Sequence, residues 1–193
     1  AYAVFANGGY KVNPFVVREI RDGANQVLAQ SAQIEAGEES TRIIDPRNAF
    51  MMDAMLRDVT IYGTAAKSSV ALKRKDLAGK TGTTNEYNDA WFCGYQMTVA
   101  ACAWVGFDQP RKLGDKETGG AAALPIWIGY MNRALKDVPN LLPQAPPGLM
   151  PRGEGREKSY VYTENAEKET PPEEEEKEAE PLPEPDLSTP PSD

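Results

Sequence analysis

The chain has 193 residues, with 29 acidic against 21 basic side chains for a formal net charge of −8, no histidine and two cysteines. Without histidine there is no Ser-His-Asp or Cys-His relay and no His-ligated metal within this chain, and two cysteines are too few for a disulfide framework or a zinc cluster. The charge is uneven: residues 164–193 hold twelve acids and two lysines, residues 1–163 seventeen acids and nineteen bases, so the acidity belongs to a tail and says little about what the body binds.

Residues 1–7 read as the last turns of a helix stopped by Gly8-Gly9, and the natural start of the polypeptide is expected well upstream. No run approaches the roughly 20 apolar residues that span a bilayer. Phe15–Arg21 is rich in β-branched residues and reads as a strand. Asp22-Gly23 marks a hairpin, with Gln26–Gln33 as the return strand. Asp45 and Pro46 have the chemistry of an N-cap followed by the first helical residue. Met52, Met55, Leu56 and Val59 then fall on one face, expected to pack into the core, and Gly63 ends the helix.

Val70–Leu72 and a solvated basic cluster, Lys73-Arg74-Lys75, lead into a strand at Gly79–Thr84. Ala90–Tyr95 and Thr98–Phe107 are two further strands, joined near Gln96-Met97. Gly119–Ala123 reads as a flexible loop. Pro125 opens a helix whose stripe is Leu124, Trp127, Ile128, Met131 and Leu135. About five strands with helices at both ends, and no regular βαβ alternation, give an α+β class: an antiparallel sheet flanked by helices. The domain is read as 1–142, a Pro/Gly-rich linker as 143–163, and an acidic tail as 164–193. The tail's seven prolines and two leucines cannot offset the entropy of ordering, so disorder is expected there.

The chemistry concentrates in Leu77-Ala78-Gly79-Lys80-Thr81-Gly82-Thr83-Thr84. In a strand, Lys80, Gly82 and Thr84 share one face, and Thr81 and Thr83 the other. Two hydroxyls and an ammonium at adjacent positions suit a substrate carboxylate. A backbone N–H beside them suits a developing oxyanion. Gly82 removes a side chain where a substrate backbone would pair. Against this, a three-residue motif recurs by chance on plain surface strands.

Leu77–Thr84, Asp89–Tyr95, Val105–Asp108 and Gly119-Gly120…Pro125-Ile126-Trp127, together with Tyr2–Gly9 and Tyr62-Gly63-Thr64-Ala65, closely resemble the C-terminal half of the transpeptidase domain of class A bifunctional penicillin-binding proteins. The resemblance covers about residues 1–136 in the family's order and leaves out the acidic tail. It implies a penicillin-binding transpeptidase (serine β-lactamase-like) fold, and an enzyme that cross-links peptidoglycan through a serine acyl-enzyme acylated by β-lactams. By motif position it implies catalytic roles for Lys80 and Thr83, the Thr83 N–H being an oxyanion donor. Thr81, Gly82 and Thr83 become substrate-binding, the two hydroxyls holding a terminal carboxylate.

The family's other two motifs are Ser-x-x-Lys, which carries the nucleophile, and Ser-x-Asn. Neither occurs here; Ser69 and Lys73 are four apart. The chain alone is therefore expected to be catalytically dead. The expected partners are the upstream, nucleophile-bearing part of the same polypeptide, peptidoglycan stem peptides, lipid-linked glycan and β-lactams. No cofactor, metal or nucleic acid is expected, and the implied location is the bacterial periplasm, anchored to the inner membrane through an upstream segment. A D,D-carboxypeptidase is the related alternative, and a non-catalytic cell-wall or peptide-binding module the alternative of another class.

Trp91, Trp104 and Trp127 read as core or inter-layer packing, and Asp89 as a turn cap. With the turn at Gln96-Met97, Cys93 and Cys102 lie diagonal to one another and read as two buried free thiols. A turn one residue later places them directly opposite, within reach of a bridge. A half-domain is also expected to expose edges and apolar faces, and so to be poorly soluble alone.

Overall fold

The computed structural model describes residues 1–31, 37 and 41–166. Residues 32–33 of the expected return strand, and the acidic run 167–193, lie outside that range. Helix α1 (Tyr2–Ala6) stops at Gly8 and Gly9, whose φ values of 84° and 104° are left-handed backbone that glycine adopts without strain. Strands β1 (Glu19–Arg21) and β2 (Val27–Gln30) form the expected hairpin, but are shorter than the sequence suggests. The Asp22 carboxylate organises the turn by accepting from the Ala24 and Gln26 N–H groups, at 2.9 and 2.8 Å.

Helix α2 (Pro46–Ile61) starts where the sequence places it. Asp45 accepts from the Arg47 N–H at 2.8 Å, and Pro46 fills the first turn. Its buried residues differ from expectation: they are Ala49, Phe50, Asp53 and Thr60, while Met52 and Met55 are exposed. Leu56 and Val59 do pack inward. Hydrophobicity misjudged the face because its buried polar groups are all partnered. Asp53 takes Arg57 Nε at 2.7 Å and the Tyr95 hydroxyl at 3.0 Å, and the Thr60 hydroxyl donates to the Leu77 carbonyl at 2.6 Å.

A short helix, α3 (Ala66–Leu72), was not expected from the sequence; it ends at Lys73 with a left-handed φ of 54°. The basic cluster after it is only partly solvated. Lys73 and Lys75 are exposed, but Arg74 forms a fork on buried Asp76, at 2.9 and 2.7 Å, and donates to the Val138 and Pro139 carbonyls. Asp76 also accepts from Gln96 Nε2 and the Leu141 N–H, both at 3.1 Å. A guanidinium matched to a carboxylate and to carbonyls is the form in which a charge is tolerated inside.

Strands β3 (Ala78–Thr83), β4 (Ala90–Gln96) and β5 (Val99–Val105) form an antiparallel sheet in the order β3-β4-β5. Gln96 pairs with Val99, so the turn is Met97-Thr98 and Cys93 faces Cys102. The two cysteines form a disulfide, which corrects the reading of free thiols. The error is one residue of turn position, and a one-residue slip changes every cross-strand partner.

On one face of the sheet, Phe92 meets Trp127 edge-on at 4.9 Å between ring centres. That face is closed by Gly119–Ala123 and helix α4 (Leu124–Ala134), whose Leu124, Trp127 and Met131 are buried. Gly119–Ala123 is a π-helical turn rather than a flexible loop, capped by the Thr118 hydroxyl. On the other face, Tyr95 and Ala78 pack on Ala6, Tyr2 and Phe5 of α1 and on Leu56. Farther along that face Trp91 and Trp104 stay exposed, which corrects their reading as core residues; they lean on each other at 6.0 Å. Trp127 is buried as expected.

The segment read as a linker contains a hairpin, β6 (Leu149–Arg152) with β7 (Ser159–Tyr162). It returns to α2, where Tyr160 meets Phe50 edge-on at 4.8 Å and Arg47 pairs with Glu164 at 2.8 Å. Alternating aromatic residues at Tyr160 and Tyr162 carried this signal against the surrounding prolines.

Candidate functional site

Strand β3 enters buried and emerges polar. Leu77 and Ala78 have no exposed surface, whereas Lys80 and Thr83 are exposed. It pairs with β4 alone among the described strands and is thus an edge. The Thr84 N–H donates to the Asp89 carbonyl at 3.1 Å, which makes Thr84 and Asp89 a hydrogen-bonded pair. Antiparallel pairs alternate, so Lys80 and Gly82 spend their backbone groups on β4. The N–H and C=O groups of Thr81 and Thr83 point out over the free edge. The short Cα separation of Cys93 and Cys102, 4.1 Å, gives the same phase, because it marks a non-hydrogen-bonded pair on the far side of β4.

Thr81 and Thr83 share one face, as the alternation requires. They line an open concavity of about 450 Å3 with Thr64, Lys67, Thr118, Gly120 and Ala121. The Thr81 hydroxyl lies 3.1 Å from that of Thr64. The Thr83 hydroxyl accepts from the Gly119 N–H at 3.1 Å, which leaves its own proton free to donate outward. The Lys80 ammonium turns over the strand edge onto the Thr81 carbonyl, at 3.1 Å, and the Thr81 hydroxyl, at 3.4 Å. No carboxylate lines the concavity. Hydroxyl protons and the Lys67 side chain thus border one small volume, with outward N–H groups and the Lys80 ammonium at its strand edge, an arrangement that receives an anion with a planar pair of oxygens.

Gly82 lies on the face that alternation gives it, opposite to the threonines. A Cβ there would lie 3.2 Å from Cβ of Trp91, its cross-strand partner, on the face away from the threonines. Gly119 permits a close approach to this strand pair: a Cβ there would fall 2.2 Å from the Trp91 carbonyl and 2.5 Å from that of Gly82. The π-helical turn can therefore rest on the β3–β4 ladder and hold Thr83 from behind. Such turns recur at functional sites.

The turn after β3 is held by Thr84, whose hydroxyl accepts from the Asp89 N–H at 2.8 Å. The Asp89 carboxylate lies 3.5 Å from the Thr84 hydroxyl across the same turn and also takes Trp104 Nε1 at 2.9 Å. Sequence reasoning missed Thr64, Lys67 and Thr118 as lining residues. The run Tyr62–Ala65 did carry a signal, a hydroxyl directly after a helix-stopping glycine. Lys67 carried none, because its helix was not expected. Among the described residues no cluster of three or more His, Cys, Asp or Glu side chains converges on a metal position, and no helix is long and apolar enough to cross a membrane.

Comparison with known proteins adds to this geometry. The profile of the penicillin binding protein transpeptidase domain matches residues 1–126. The chain is 43% identical over 164 aligned positions to penicillin-binding protein 1A of Neisseria lactamica, covering 84% of this chain and 20% of that protein. Penicillin-binding protein 1A of Pseudomonas aeruginosa is 42% identical over 195 aligned positions, covering 78% of this chain and 24% of that protein. The crystal structure of penicillin-binding protein 1A from Haemophilus influenzae superposes with a TM-score of 0.71 at 29% identity, covering 84% of this chain and 31% of that one. The chain thus spans about a fifth to a quarter of the length of these curated relatives.

Proposed function

The chain belongs to the penicillin-binding protein transpeptidase family, and from that membership we propose that it forms one wall of a peptidoglycan D,D-transpeptidase site whose nucleophile lies elsewhere in the polypeptide. The observation that carries this reading is the free edge of β3, where the backbone groups of Thr81 and Thr83 point outward above a cleft lined by hydroxyls and free of acids.

A stem peptide ending in D-Ala-D-Ala pairs along that edge in extended form, as peptides join exposed sheet edges elsewhere. Its terminal carboxylate accepts from the hydroxyls of Thr81 and Thr83. This sets the scissile carbonyl at the Thr83 N–H, which donates to the oxygen as it becomes an oxyanion. A serine from the other wall attacks the carbonyl carbon, the C–N bond to the last D-Ala breaks, and that residue leaves as a protonated amine. The amino group of a second stem peptide then attacks the ester, forms the cross-link and returns the proton to the serine. β-Lactams enter by the first step. Lys80 supplies positive charge at the edge and would join hydrogen bonds to a Ser-x-Asn serine of the other wall. In this reading the enzyme works in the periplasm, held to the inner membrane by a segment outside this chain, and meets lipid-linked glycan there.

The test is labelling with a fluorescent penicillin, applied to this chain alone and to the polypeptide that includes its upstream sequence. Label only in the longer polypeptide is expected. Label on neither would favour a non-catalytic cell-wall or peptide-binding module, for which the lack of Ser-x-x-Lys here is the motivating observation.

A further inference from the structure

The concavity beside β3 has a second cation that no sequence motif marks. Lys67 lies on α3 and lines the same space as Thr81, Thr83, Thr64 and Thr118. Its helix is fixed in place: Ala65 and Ser68 on either side are fully buried, and the Ser68 hydroxyl donates to the Ala65 carbonyl at 2.7 Å. Lys67 itself is exposed, and no acidic residue lines the space with it. Lys80, the motif lysine, is absent from this lining; its ammonium sits at the strand edge on the Thr81 carbonyl and hydroxyl.

The division of labour follows from donor counting. A carboxylate has two oxygens and about four lone pairs, and a threonine hydroxyl supplies a single proton. The Thr81 and Thr83 hydroxyls leave acceptor capacity on a bound carboxylate unused, in a space with no competing acid. An ammonium from a helix that lines the same space can fill it with charge-assisted bonds.

We propose that Lys67 receives the terminal carboxylate of the donor peptide, and the carboxylate of a β-lactam, together with Thr81 and Thr83. It is thus a specificity-determining residue that demands a free carboxylate. This assignment rests on the transpeptidase reading above. Lys67 anchors the substrate, while Lys80 serves the reacting end.

The test uses the full polypeptide and a fluorescent penicillin, comparing wild type with Lys67→Gln, Lys67→Arg and Lys67→Glu. The concentration dependence of acylation separates binding from the chemical step. Lys67→Gln is expected to weaken binding roughly tenfold, as loss of one charge-assisted bond at a partly solvated site does, with the limiting acylation rate unchanged. Lys67→Arg should stay within about twofold of wild type, and Lys67→Glu should fall below Lys67→Gln. Added salt should weaken wild type more than Lys67→Gln. Against a penicillin ester, which lacks the charge, wild type and Lys67→Gln should behave alike. Equal acylation of Lys67→Gln and wild type would overturn the assignment, as would a loss in Lys67→Arg as deep as in Lys67→Gln. An unlabelled wild type would remove the transpeptidase reading, and this assignment with it.

Discussion

Trp91 and Phe92 are neighbours on β4 and live in different surroundings. Phe92 has no exposed surface and sits against Trp127, while Trp91 is 41% exposed and leans on Trp104 from the next strand. The same contrast runs along β3, from buried Leu77 and Ala78 to the open edge at Lys80–Thr83. The inner face is closed by this chain's own helix α4. The edge carries polar groups to which the described residues offer no strand. Stability therefore concentrates on one side of a three-stranded sheet and the anion-receiving chemistry on its rim, and the two can be perturbed separately.

The largest expected effect is on the closed side. Trp127→Ala removes the centre of the inner layer and should cost about 3–5 kcal/mol, read as a lowered unfolding midpoint of the full polypeptide. A cost under about 1 kcal/mol would mean that the α4 layer is not the main support of the sheet. Next comes the staple between β4 and β5. Its loop is short, a separation of nine residues, so Cys93→Ser with Cys102→Ser should lose about 2–3 kcal/mol, and reduction of the wild type should match it.

A smaller, pH-dependent effect belongs to Tyr95. Burial first, and the adjacent Asp53 carboxylate second, push its phenol well above the ordinary value of 10.0. The folded state thus keeps the Tyr95 proton where the unfolded chain releases it. Stability is intact below about pH 10 and falls above it, at up to about 1.4 kcal/mol per pH unit. Tyr95→Phe should flatten this dependence in melts taken between pH 9 and 11, a range set by the phenol's ordinary titration at about 10. An unchanged slope would locate the effect elsewhere.

Much of the scaffold was legible from local pattern. The Asp45-Pro46 start of α2, the Leu124–Leu135 stripe and the strands of the sheet each needed only a few neighbouring residues. What escaped depended on partners far along the chain. Arg74 looked solvated because its carbonyl partners come 64 and 65 residues later. Met52 and Met55 looked like core because apolar periodicity does not reveal that Asp53 and Thr60 are satisfied inside. The disulfide turned on whether the hairpin pivots at residue 96 or 97, a distinction that composition does not make. In the candidate site, Lys80, Thr81 and Thr83 were singled out by the family resemblance around a short motif, and the two threonines share one face as alternation requires. Thr64 and Lys67 reach the same space only through the packing of α2 and α3 beside β3.

The most direct test of the account is to map the acylated residue. After the full polypeptide reacts with a labelled penicillin, proteolysis and mass spectrometry locate the label in wild type and in Thr81→Val with Thr83→Val. The account predicts label on a serine outside these 193 residues. It also predicts that the double substitution lowers acylation by roughly a hundredfold, about tenfold for each lost hydroxyl, while the fold survives with a loss of about 1–3 kcal/mol, because Thr83→Val leaves the buried Gly119 N–H without its acceptor. Label on a residue of this chain, or unchanged acylation in the double variant, would contradict it.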